Sequence, residues 1–236
     1  KLHSTQKELV QQISYTHTKK ILGGQISVVF YDVTTLYFEI DQEDGLRKTG
    51  FSKEGKHQNP QIVLGLLVSK NGYPLAYDIF EGNKFEGHTM LPVLDSFKEK
   101  YNLDQMVIIA DSGLLSNTNI KELESGGYEF ILGARIKNEK RYIQRKILSL
   151  KLKNTESAVV EKGNLKLIVS YSDNRAKKDL QNRERGLKKL EKQIKTGRLT
   201  KSNINNRGYN KYLKMEGNIS IVIDYSKLSP LRKQDL

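Results

Sequence analysis

The 236-residue sequence predicts an α/β fold: a mixed β-sheet with helices on both faces, interrupted late in the chain by a basic α+β insertion. Three observations carry this. Short, almost wholly apolar runs alternate with amphipathic stretches over residues 25–136, as buried strands alternate with the helices that pack on them. Two of those runs flank an Asn-Gly turn signal, which marks an antiparallel pair. Beyond residue 136 the texture becomes Lys-rich and the charge changes sign.

Residues 1–24 are polar with a modest helical spacing of Leu9, Ile13, Ile21 and Leu22, and end at the helix stop Gly23-Gly24. They read as a helix or as the tail of an upstream region. Ser27-Val-Val-Phe-Tyr-Asp32 is the first apolar run and the expected central strand. Ile62 to Ser69 and Tyr73 to Phe80 flank Lys70-Asn71-Gly72 as a hairpin, and Pro74, which cannot donate to a ladder, puts the second of these strands at a sheet edge. Leu91, Leu94, Phe97 and Tyr101 recur at helical spacing. A second buried strand, Met106 to Asp111, follows, then a helix capped by Ser116 or Asn117 and stopped at Gly126-Gly127, then the strand Tyr128 to Ala134. Strand, hairpin, helix, strand, helix, strand is the order of the ribonuclease H-like fold, in which three antiparallel strands precede two parallel ones. We therefore expect a core over 25–136, a basic insertion over 137–215 and a return strand towards the core over 216–236. The insertion should hold a hairpin turning at Gly163-Asn164, and a long helix from about Asp173 to Lys195 with Leu180, Leu187, Leu190 and Ile194 as its packing stripe.

Composition narrows the function. The chain has no cysteine, so a disulfide framework, a thiolate zinc site and a cysteine nucleophile are excluded, and the four scattered histidines show no metal-ligand spacing. The longest apolar run is far short of the ~20 residues a membrane helix needs, and no membrane role is expected. Forty Lys and Arg against 27 Asp and Glu give a net charge of +13. Residues 1–136 carry 14 basic and 17 acidic side chains, whereas residues 137–236 carry 26 and 10. An acid-bearing core followed by a basic segment suits a polyanionic partner; a solvated basic face is the alternative.

Asp32 and Asp111 each end an apolar strand, where a carboxylate is costly unless hydrogen-bonded, paired or holding a cation. In the expected fold those strands are parallel neighbours, so the two acids lie side by side and repel unless a divalent cation sits between them. Mg²⁺, or Mn²⁺ in its place, suits an all-oxygen site completed by water and substrate phosphates, and such ions promote in-line displacement at phosphorus. A loop or helix-capping role is the alternative for either acid alone. Lys53 and Lys56, in the loop expected near the first acid, are candidate phosphate contacts with a plain solvated loop as the alternative, and Arg135, closing the strand after the second, is a further candidate. Arg175, Lys178, Arg183 and Arg185 on the charged face of the long helix are candidate DNA contacts. The acidic cluster Glu39, Asp41, Glu43 and Asp44 is a weaker candidate for a second metal site, with loop acids as the alternative.

The stretches Tyr31-Asp-Val-Thr-Thr-Leu-Tyr-Phe38, Gly50-Phe-Ser-Lys53, Pro60 to Val68, Gly72-Tyr-Pro-Leu-Ala76, Phe80-Glu-Gly-Asn83 and Ile109-Ala-Asp-Ser-Gly-Leu-Leu-Ser116 resemble the insertion-sequence-four superfamily of bacterial DDE transposases. The resemblance spans roughly residues 25–225. It implies Asp32 and Asp111 as the first two acids of a metal-dependent DNA cleavage and strand-transfer site. It further implies double-stranded DNA (transposon ends and target) as partner, a homodimer in the synaptic complex, and a bacterial cytoplasmic setting. The family's third acid is a Glu on a helix with a Tyr, Arg, Glu, Lys signature that is absent here. That Glu is expected beyond Leu236, with Glu184 as an internal substitute, and this stretch alone is expected to be inactive. A ribonuclease H-like nuclease and a non-catalytic DNA-binding remnant are the competing readings.

Overall fold

The computed structural model describes residues 5–103, 106–205, 207–217 and 220–227. They form two compact units, Lys1–Ala134 and Arg135–Leu236. The first holds helix α1 (Lys7–Ile21), strands β1 (Val28–Tyr37), β2 (Gln61–Ser69) and β3 (Pro74–Glu81), helix α2 (Met90–Tyr101), strand β4 (Val107–Ala110), helix α3 (Asn117–Ser125) and strand β5 (Glu129–Leu132). Its single sheet runs β3-β2-β1-β4-β5. β1 pairs antiparallel with β2 and β2 with β3, while β4 lies parallel to β1 and to β5. This is the ribonuclease H-like arrangement the element order anticipates, with Pro74 on the edge strand where its missing N–H costs no central ladder bond.

Period-two burial explains why these runs are strands. Val29 and Tyr31 of β1, Leu67 of β2, and Ile108 and Ala110 of β4 enter one core with Met90, Val93, Leu94 and Phe97 of α2 and Leu123 of α3. Helix α1 joins that core through Tyr15, whose ring stacks on Tyr101 at 3.6 Å between centroids. Its polar residues have a use as well. Gln11 donates to the Tyr77 carbonyl and Thr18 to the Pro74 carbonyl, so α1 docks along β3 by satisfying edge-strand backbone. On the opposite face of the sheet Phe30, Leu36 and Ile131 are exposed.

The second unit contains helix α4 (Arg141–Ser149), the hairpin β6 (Ser157–Lys162) and β7 (Leu165–Ser170), helix α5 (Asp173–Lys195), and the hairpin β8 (Leu213–Glu216) and β9 (Ser220–Ile223). Gly163 supplies the positive φ of the tight β6–β7 turn, and Ser172 caps α5 by accepting from the Arg175 N–H. Ile143 and Ile147 of α4 pack with Val160 and Val169 as a small core of their own. β9 falls within the expected return strand; it pairs with β8, and residues 228–236 of that segment lie outside the described residues. No helix among the described residues is long and apolar enough to cross a membrane.

Candidate active site

The parallel ladder between β1 and β4 ends on the pairing of Tyr31 with Ala110. Asp32, within β1, and Asp111, one residue past the end of β4, come next in each chain segment, so they occupy the following step where the strands lie about 4.8 Å apart. Tyr31 and Ala110 are buried, and the aspartates that follow them are exposed. Each carboxylate is oriented locally. Asp32 Oδ1 accepts from the Val33 N–H at 2.8 Å, and Asp111 Oδ1 accepts from the Gly113 N–H at 2.6 Å. The second oxygen of each is in no hydrogen bond among the described residues. Two all-oxygen donors with an available atom apiece suit a hard divalent cation that keeps several waters. Among the described residues no three His, Asp or Glu side chains gather as a metal site.

Close backbone approach holds the second acid. A Cβ on Gly133, just past β5, would lie 2.6 Å from the Ser112 nitrogen and 3.1 Å from the Asp111 carbonyl carbon. Gly133 also donates its N–H to the Ala110 carbonyl at 3.0 Å. Only glycine lets β5 run this near the Asp111 turn.

A third segment meets both acid-bearing ones. The 3-10 turn Glu86–His88 and Thr89 take the Tyr31 hydroxyl at the Thr89 Oγ1, 2.8 Å away, and Thr89 in turn donates to the Glu86 carbonyl at 2.7 Å. From the Asp111 side, buried Asn119 donates to the carbonyls of Gly87 and Leu114 at 2.9 and 2.8 Å. Burial pushes the Tyr31 phenol well above its ordinary pKa, so it acts as a neutral donor. Glu86 itself accepts from Lys53 through both carboxylate oxygens at 2.9 Å. The Glu86 carboxylate holds the Lys53 ammonium above the usual lysine pKa, with smaller contributions from Asp111 and Asp32, so Lys53 lies within electrostatic reach of both aspartates.

The loop bearing Lys53 is built rather than loose. Buried Ser52 accepts from the N–H groups of Glu54 and Lys56 and bonds the Tyr37 hydroxyl at 2.9 Å. Buried Gln61 donates to the carbonyls of Phe51 and Gly82. Lys56 sits over the Tyr37 ring and pairs with Glu54 at 3.6 Å. Phe51 and Phe85, neighbours of Ser52 and Glu86 in sequence, are 76% and 63% exposed. Sequence reasoning misses Glu86, Ser52, Gln61 and Thr89; Ser52 and Gln61 are ordinary polar residues there, and the Lys53–Glu86 pair spans 33 positions.

The acidic cluster has another use. Asp44 accepts from the N–H groups of Leu46 and Arg47 and from the Arg47 side chain, and Glu43 accepts from Thr49. Those bonds, the Arg47 N–H foremost, hold the Asp44 carboxyl at about 2. They close a loop, in keeping with the alternative reading of these acids.

The remaining sequence candidates belong to the second unit. Arg135 is exposed at the head of a 3-10 turn. Arg175, Lys178 and Arg185 lie on one exposed stripe of α5, opposite Leu180 and Leu187, and Glu184 is exposed off that stripe, nearer the leucine side. Arg183 instead lines a cleft with Lys137, Asp179, Lys211, Tyr209 and Tyr212. The Tyr209 ring lies over Gly186, where a Cβ would come within 2.4 Å of it, and its hydroxyl donates to the Asn182 carbonyl.

An α/β domain of the ribonuclease H-like class is thus defined, with one aspartate inside β1, which runs on to Tyr37 rather than ending at Asp32, and the other one residue past β4. Residues 23–216 match the family model described as "Transposase DDE domain", and the chain belongs to that family. Among solved structures it is similar to the Mos1 transposase paired-end complex with left transposon end, at 10% identity and TM-score 0.32 over 53% of this chain and 40% of that one. It is also similar to the piggyBac transposase synaptic complex with hairpin DNA, at 14% identity and TM-score 0.39 over 72% and 37%. The chain thus spans less than half the length of each of these two structures. No curated protein sequence matches it.

Proposed function

We propose that Asp32 and Asp111 hold a divalent cation, Mg²⁺ or Mn²⁺, and that the chain provides the greater part of a site for cleavage and strand transfer at the ends of an insertion sequence. The observation that carries this is the register of β1 and β4, adjacent parallel strands whose ladder stops one step before two exposed carboxylates, within a domain of the transposase DDE family. When bound, the cation supplies an activated oxygen nucleophile and stabilises the leaving oxygen at phosphorus. The chain's own part is positional. The Val33 and Gly113 N–H groups fix one oxygen of each carboxylate and leave the other for the cation, and Gly133 keeps the Asp111 turn close to β5. Lys53 supplies positive charge beside the acids for a DNA phosphate, with Lys56 further along the same loop. Arg135, Arg175, Lys178, Arg183 and Arg185 grip the duplex along the second unit, and a homodimer on paired DNA ends belongs to the same reading. Glu184, exposed on α5, is the candidate within the chain for the family's third acid.

The test is Mn²⁺ broadening of backbone resonances in the whole chain. Broadening centred on Asp32, Asp111 and Gly113 that disappears in Asp32→Asn and in Asp111→Asn is expected, with the thermal midpoint little changed because both side chains are exposed. Broadening elsewhere, or none, overturns the assignment. Strand-transfer products on a donor-end duplex that are lost on Glu184→Gln would identify that residue as the third acid.

A further inference from the structure

We propose that Glu86 is a positioning residue for the metal pair: by gripping Lys53 through both carboxylate oxygens, it holds the ammonium beside Asp32 and Asp111 instead of between them. This deepens, and rests on, the reading of the two aspartates as cation ligands.

The geometry makes the need plain. Lys53 is a largely exposed cation paired with Glu86, whose turn is bonded to both acid-bearing segments, and Asp111 and Asp32 add, after Glu86, to the upward shift of its pKa. Two adjacent aspartates without a cation repel, and a lysine within reach would relieve them by turning inwards. It would then compete with any metal ion for the same oxygens. Lys53 instead bonds Glu86 twice, at 2.9 Å to each oxygen. Glu86 is well placed to hold it, because its own backbone is fixed from both sides of the site. Its carbonyl takes the Thr89 hydroxyl, which is locked by Tyr31 next to Asp32, and the following Gly87 carbonyl takes Asn119, which also holds Leu114 beyond Asp111. A turn anchored to both acid-bearing segments can hold a cation at a fixed offset from them. Ser52 anchors the other end of the pair by organising the loop from Ser52 to Lys56.

The consequence differs from that of a plain surface ion pair, which would affect only stability and that slightly. Removing the Glu86 charge should send Lys53 onto the aspartates and weaken cation binding, and removing Lys53 as well should restore it. Mn²⁺ affinity, measured by calorimetry on the whole chain, is expected to fall about five-fold in Glu86→Gln, the size of effect that one charge interaction near the surface supplies. It should return to the parent value or better in Glu86→Gln/Lys53→Met, and be equal or tighter in Lys53→Met. A double variant as weak as Glu86→Gln would make Glu86 a ligand or a purely structural residue and overturn the proposal; unchanged affinity in Glu86→Gln would do the same. A second readout needs no metal. The side-chain carboxyl ¹³C shifts of Asp32 and Asp111 in metal-free protein should move in Glu86→Gln and return in the double variant. If the parent binds no Mn²⁺ at these aspartates, the cation reading fails alone, and the metal-free shifts still decide where Lys53 goes: shifts that do not move overturn its placement by Glu86.

Discussion

Small residues decide the geometry around the second acid more than the acid itself does. Gly133→Ala would drive a methyl to 2.6 Å from the Ser112 nitrogen, against backbone that has no soft side chain to give way. Overpacking of this kind costs roughly 1–3 kcal/mol. Because the strain falls on the Asp111 turn, the loss should appear both as a lower midpoint in thermal unfolding and as weaker Mn²⁺ binding. Asp44 offers a pH-dependent counterpart. Its carboxyl is held at about 2, below the ordinary 3.8, by the Arg47 and Leu46 N–H groups and the Arg47 guanidinium. A depressed folded-state pKa stabilises above the unfolded value and loses that effect as pH falls through the folded one. The loop bonds of Asp44 should therefore persist through pH 4 and fade as the pH falls towards 2, as followed by the Asp44 carboxyl ¹³C shift; Asp44→Asn should remove that titration and leave Mn²⁺ binding unchanged.

At the scale of elements, the clearest signal in the sequence is the pair of apolar runs ending in aspartate. Ser27–Asp32 and Met106–Asp111 each read as a buried strand with a costly terminal charge; β4 does stop just before Asp111, whereas β1 runs on to Tyr37 because β2 pairs with it past Asp32, so that aspartate lies within its strand. The hairpin of β2 and β3 and helix α5 are equally plain, because turn residues and a leucine stripe are local signals. Helix α4 escapes a reading of the sequence, since its apolar face is short and set among basic residues. So does the docking of α1, where Gln11 and Thr18 look like surface residues until an edge strand offers them carbonyls. The turn from Glu86 to Thr89 stays hidden for the same reason: its partners Lys53, Tyr31 and Asn119 are distant in sequence, and composition carries no trace of such pairings. For α5, replacing Arg175, Lys178 and Arg185 together by alanine should weaken DNA binding and flatten its salt dependence by about one unit of slope for each phosphate the helix no longer neutralises. Gel-shift or anisotropy titrations at several salt concentrations measure this, and an unchanged slope would remove the stripe from the DNA surface.

Taken whole, the chain comprises two units, each with a hydrophobic cluster made of its own residues. Residues 1–134 contain every member of the larger cluster, together with both aspartates, Lys53 and Glu86. That stretch expressed alone should unfold cooperatively in denaturant and retain Mn²⁺ broadening at Asp111; a non-cooperative profile would show that its core depends on the remainder of the chain. The parallel neighbouring of β1 and β4 also reaches into the life of the nascent polypeptide. Asp32 leaves the ribosome well before Asp111, and β4 can join β1 only once the intervening hairpin and α2 have been synthesised, a long-range closure of the kind that folds slowly. A half-made or unfolded copy has no adjoining carboxylates, so a cation site built on the two aspartates would arise only with the finished sheet.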